Sequence, residues 1–135
     1  MIRARSLTLA AGVLALVACG DSPTAADLVG EWGGEHIALT ITPTGAVLEF
    51  DCAHGSIVEP IVPDAAGVFD VAGIYVREHG GPIREGEPPD SHPARYVGRI
   101  DGSRMTLTVT LTDGPKPQAS YTLRQGAPPQ VYKCV

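Results

Sequence analysis

Arg104-Met105-Thr106-Leu107-Thr108-Val109-Thr110-Leu111-Thr112 carries the clearest pattern in the chain. Apolar side chains fall at every second position, Met105, Leu107, Val109 and Leu111, with threonines between them. Successive side chains of an extended strand point to opposite faces. The segment therefore predicts a strand with one buried face and one wetted face. The threonines are good strand formers on the wet side and carry no functional claim.

The same alternation recurs on both sides of this segment. Asp101-Gly102 marks a tight hairpin turn back to a strand over residues 94–100. Residues 113–118 turn the chain into another strand over 119–125, and residues 131–135 read as a short last one. Toward the N-terminus, residues 36–42 alternate Ile37, Leu39 and Ile41 with polar or small residues. Thr42-Pro43-Thr44-Gly45 is a turn, and in residues 46–52 Leu48, Phe50 and Cys52 share one face while Glu49 and Asp51 share the other. Residues 56–62 form a further run. A long run over 68–79 contains Gly73, which suggests a bulge or bend. The 16 glycines and 12 prolines punctuate the chain at short intervals. Residues 80–93 have no periodicity and form the one long loop, read as a lid, a partner contact or a spacer.

About eight short strands with no crossover helix predict an all-β, antiparallel up-and-down barrel, with a β-sandwich as the alternative. Closure is favoured because it removes exposed strand edges. Ahead of the strands, Thr24 followed by Asp27 three residues later has the form of a helix cap.

The first twenty residues have a different character. Arg3 and Arg5 precede an uncharged run of Leu, Ala and Val that ends at Leu16-Val17-Ala18-Cys19-Gly20. That run is shorter than the roughly 20 residues needed to cross a bilayer and has the length of a signal-peptide core. The segment resembles the lipobox leader of bacterial lipoproteins. The resemblance implies cleavage after Ala18, lipidation of Cys19 and acylation of its new amino group. It implies a signal peptide over 1–18, a lipidated Cys and tether over 19–27, and one domain over 28–135. In such proteins an Asp directly after the Cys favours inner-membrane retention. Here Gly20 holds that position and Asp21 comes one later, so a lipid-anchored envelope protein on the outer membrane, facing the periplasm, is expected. Two or three acyl chains suffice for a durable anchor.

Loss of Arg3 and Arg5 with the leader makes the mature chain more acidic than the net −5 of the full one. An acidic domain with no Lys/Arg cluster in sequence is a poor nucleic-acid binder. With Cys19 lipidated, Cys52 and Cys134 remain. In an oxidising compartment such a pair usually bridges. Two buried thiols, or a metal pair with a histidine, are the alternatives.

At Gly30-Glu31-Trp32, a helical turn followed by Gly-x-Trp and a first strand resembles the start of lipocalin and wider calycin barrels. The resemblance implies that Trp32 plugs the closed end of the barrel and that a late cation packs across it, Arg124 being the candidate.

For chemistry, Glu49, Asp51 and His54 form the densest polar cluster, with His36 placed to pair across to it. Such a group suits a cation or acid–base work, but equally describes a solvated strand face. His79 and His92 flank the long loop among acidic residues without the order of a calcium site. No metal, cofactor or nucleophile motif is present, so catalysis is not expected. The expected function is binding of a small apolar or amphipathic molecule by the anchored barrel. The alternative is a protein-interaction subunit or inhibitor acting on an envelope partner.

Overall fold

The computed structural model describes residues 21–115 and 118–135, with Val13 described singly. The expected leader, Cys19 and Gly20 lie outside these residues. Helix α1 spans Ala25–Leu28. Eight strands follow: β1 Gly30–Gly34, β2 Ile37–Thr42, β3 Gly45–Phe50, β4 Ala53–Ile57, β5 Val68–Arg77, β6 Asp90–Asp101, β7 Arg104–Leu111 and β8 Gln118–Gln125. Each strand pairs antiparallel with the next, and β1 pairs with β8, so the sheet closes into a barrel. This is the all-β barrel predicted, and the architecture that the lipocalin resemblance implied.

Because the strands run up and down, their connections gather at two ends. The base holds α1 and the turns after β2, β4, β6 and β8. The mouth holds the turns after β1, β3, β5 and β7. At the base Thr24 and Asp27 form a reciprocal capping box, with the Thr24 amide donating to Asp27 Oδ2 at 2.8 Å. This holds the short helix so that Leu28 turns inward, 1% exposed. Trp32 beside it is also 1% exposed, and its indole N–H donates to the Leu28 carbonyl at 2.9 Å. A buried indole needs such a partner, and the helix supplies it.

The inward faces make one continuous apolar core that contains no buried charged or polar residue among those described. Met105, Leu107, Val109 and Leu111 are all inward, as the alternation required. Tyr96 is wholly buried at mid-barrel. Gly55 and Gly73 flank it, and a Cβ at either position would strike the Tyr96 side chain. Gly73 is thus a space-making residue. The β5–β6 register runs unbroken from Val68↔Arg99 to Arg77↔Asp90, so of the bulge or bend expected at Gly73 the bulge is absent.

Other expectations are corrected. Gly30–Gly34 is itself the first strand. Residues 131–135 are not a strand; residues 126–135 instead form a strap on the outside. The Gly126 amide donates to the Glu31 carbonyl at 2.7 Å, and the Gln130 amide to Gly34 at 3.0 Å. Tyr132 then bonds Asp51 at the mouth. Cys52 leaves the ladder at a turn with φ 52°, so it shares no strand face with Leu48 and Phe50. It is bridged to Cys134, with Cα atoms 4.9 Å apart, fastening the strap to the mouth. Strand β4 starts three residues earlier than the run over 56–62, and β6 absorbs residues 90–93 of the long loop. The hairpin turn after β6 is Gly102-Ser103, between the paired Asp101 and Arg104.

Arg124 is exposed on the outer face of β8, while Trp32 lies on the inner face of β1, so the expected packing of Arg124 across the indole is not formed. Strand alternation forces this: Leu123 faces in, so its neighbour faces out. Trp32→Ala is expected to cost about 3–5 kcal/mol of stability by opening a cavity in the base. Arg124→Ala is expected to stay within about 0.5 kcal/mol. Chemical denaturation measures both, and equal losses would contradict the separation of the two faces.

Candidate functional site

The mouth is built by inward-facing positions at the upper ends of the strands. Phe50 ends β3, Tyr75 lies near the end of β5, and Tyr121 lies near the start of β8. Cross-strand pairing fixes their direction: Tyr75 is opposite the inward Gly55, and Tyr121 opposite the buried Leu107. The three rings meet. Phe50 stands 5.2 Å from Tyr75 and 5.3 Å from Tyr121, centroid to centroid, both tilted by nearly 50°. These are favourable offset arrangements.

Depth separates these residues. Phe50 is 1% exposed, and Tyr96 below it is sealed, its hydroxyl donating to the Ile74 carbonyl at 2.8 Å. Tyr75 and Tyr121 are half-buried, and neither hydroxyl is bonded to another described residue. Burial raises the pKa of both phenols, so they remain protonated donors at neutral pH. Ala119, opposite buried Val109 and therefore inward, is nevertheless exposed. The mouth is open on that side. What results is a cluster of three aromatic rings at the mouth of a filled barrel, the cup, with two half-buried phenols.

The rim is held by charged groups. His92 lies opposite Tyr75 in the ladder and reaches Asp113 at 2.8 Å and Asp90 at 2.7 Å, joining β6 to the turn after β7. Lys133 of the strap donates to Glu78 at 2.7 Å and to the Ala53 carbonyl at 2.8 Å, and also pairs with Glu49. His54 faces Glu49 across the ladder and meets Glu78 at 3.2 Å. His36 pairs with Asp51, whose other oxygen accepts from the Tyr132 amide at 2.8 Å. In the long loop His79 meets Glu87 at 2.6 Å. Between this loop and the outer edge of β4–β5 lies a cleft of about 410 Å³, bordered by His54, Glu78 and Ile83.

The polar residues singled out in the sequence thus all lie around the mouth, each with a partner. His36 and Asp51 come together, and Glu49 and His54 share one cluster; His79 and His92 remain apart. Among the described residues no three His, Cys, Asp or Glu side chains converge as a metal site. The tyrosines of the cup were missed because a single Tyr at an alternating position reads as core. Their signal is parity: Tyr75 continues the inward phase of Phe69 and Val71, and Tyr121 that of Leu123.

The carboxylates of Asp113 and then Asp90 raise the pKa of His92. Its charged form is favoured by folding. That contribution is complete below the ordinary value of 6.5 and is lost as pH rises through the raised folded value. Proton NMR of the His92 ring is expected to give a midpoint above 6.5, falling back in Asp113→Asn. A midpoint at or below 6.5 would remove the rim clamp.

Compared with known protein families, curated proteins and solved structures, the chain gives no significant match.

Proposed function

We propose that this chain is a lipid-anchored envelope protein whose barrel holds a small amphipathic molecule at its mouth. The observation that carries this reading is the pair of half-buried tyrosines, Tyr75 and Tyr121, ringing Phe50 with their hydroxyls unbonded among the described residues. The cup suits a flat apolar body, which stacks on the rings, bearing a hydrogen-bond acceptor for the phenols. The filled interior argues against a long lipid tail threaded down the barrel, since an eight-stranded barrel is only just wide enough for side chains or one small ligand.

The anchor fits the same picture. The tether enters at the base, opposite the mouth: Ser22 Oγ donates to the Ala65 carbonyl at 3.1 Å. From Cys19 to Thr24 the chain spans roughly 17 Å at most. A lipidated Cys19 would hold the base near the bilayer and turn the mouth toward the periplasm. Changing Cys19→Ala is expected to move the protein into the soluble envelope fraction. Continued membrane association with an uncut leader would contradict the anchor.

Native mass spectrometry of the gently purified exported protein tests the site. A stoichiometric added mass of small-molecule size is expected, and Tyr75→Ala or Tyr121→Ala should weaken its retention about tenfold, equivalent to about 1.4 kcal/mol. An added mass indifferent to both substitutions would place the ligand elsewhere. A bare mass would favour the second reading, an interaction with an envelope protein through the long loop, whose Ile83 is 80% exposed.

A further inference from the structure

The outer surface at the base carries a feature the mouth does not explain. Arg99, Arg104 and Arg124 lie on the outward faces of three consecutive strands, β6, β7 and β8. Arg104 faces Arg124 across the β7–β8 ladder, an arrangement that is unfavourable for like charges, and faces Asp101 across the β6–β7 ladder without forming an ion pair. None of the three forms an ion pair among the described residues, whereas Arg95, higher on β6, pairs with Asp70 at 2.6 Å. Arg99 and Arg104 border a polar cleft of about 430 Å³ with Ala66, Asp101 and Thr106. Among the described residues Asp101 is the one carboxylate on its wall. The nearby Asp64 is occupied, accepting from the Ala66 and Val68 amides at 2.9 Å.

The cleft adjoins the tether. Ser22 is bonded to Ala65, next to the cleft residue Ala66, and Pro23 packs near Gly67. From Ser22 back to Cys19 the chain reaches roughly 10 Å. Three unpaired guanidinium groups on a chain of net charge −5 are therefore concentrated where the anchor would enter the bilayer.

We propose that Arg99, Arg104 and Arg124 form an anion-binding face that seats the base of the barrel on the phosphates of anionic phospholipids. Guanidinium forks match phosphate geometry, and a basic surface gains from a negative bilayer within a Debye length. The orientation rests on the tether reading above; the binding itself does not, and the experiment omits Cys19.

All eight strand pairings, the capped helix and the disulfide fall within residues 24–135. Residues 21–135 thus contain the hydrogen-bonded frame and core of the described residues, and circular dichroism of this fragment checks its folding directly. Its co-sedimentation with vesicles of phosphatidylglycerol and phosphatidylcholine, and with phosphatidylcholine alone, is the test. Binding is expected only to the anionic vesicles and should weaken as salt is raised. Each of Arg99→Gln, Arg104→Gln and Arg124→Gln should reduce it about fivefold. Arg84→Gln, at the far end, should leave it unchanged and serves as the control for general charge. Equal binding to both vesicle types, no binding to anionic vesicles, or a triple variant that binds as well as the parent would overturn the proposal. Thermal stabilisation by inorganic phosphate without vesicle binding would overturn it too, by identifying a free-anion site. Failure of the Cys19 fractionation would leave these results standing, so the two readings fail separately.

Discussion

The seam where β1 meets β8, Trp32↔Gln125, Gly33↔Arg124 and Gly34↔Leu123, is the constraint on which the rest of the structure depends. It is only three residue pairs long, and its glycines make it possible. A Cβ at Gly34 would strike the Thr122 carbonyl of β8, and one at Gly33 would strike the Ala127 carbonyl of the strap. A side chain at Gly34 would push apart the strands that must join, and one at Gly33 would lift the strap off β1. With the seam made, no strand edge is left open, and Trp32 is carried inward to meet Leu28. The strap then covers β1 and hands its end to Cys52 at the mouth.

Closure gives the barrel two unlike ends. At the base, α1 and the indole fill the opening of the barrel, and arginines stand on its outer wall. At the mouth, the cup of Phe50, Tyr75 and Tyr121 lies above Tyr96 and is rimmed by paired charges. An anchor through the base, as proposed, would leave the cup free. The rim pairs are mostly exposed, and such pairs contribute little stability. Their effect is to fix loop ends and the strap around the cup. The disulfide ties together residues 82 positions apart, which in the chain-entropy account removes a large share of the freedom of the unfolded chain.

Much of this was legible in the residues. The strict alternation of Met105 to Leu111 placed β7 and its inward face, the Thr24–Asp27 spacing placed α1, and two cysteines in a chain expected to be exported pointed to the bridge. The failures have physical causes. Gly30–Gly34 holds three glycines and no β-branched residue, so nothing local marks it as a strand; the partner strands on both sides make it one. Residues 131–135 have strand-like composition, but after Gly126 the chain has left the closed ladder and lies against its outside. Gly73 looked like a bulge because sequence shows the missing side chain and not the Tyr96 ring that fills its place. Arg124 was paired with Trp32 by analogy, and alternation puts it on the other face. The cup itself is assembled from β3, β5 and β8, a convergence that only closure produces.

Amide hydrogen exchange of residues 21–135, resolved by residue, tests the closed barrel most directly. If the seam closes as described, the ladder amides of β1 and β8 exchange as slowly as those of β6 and β7, through global unfolding, while the long loop after β5 exchanges fast. Rapid exchange confined to β1 and β8, with the other strands protected, would mean an open sheet with two free edges, and would remove both the sealed base and the cup.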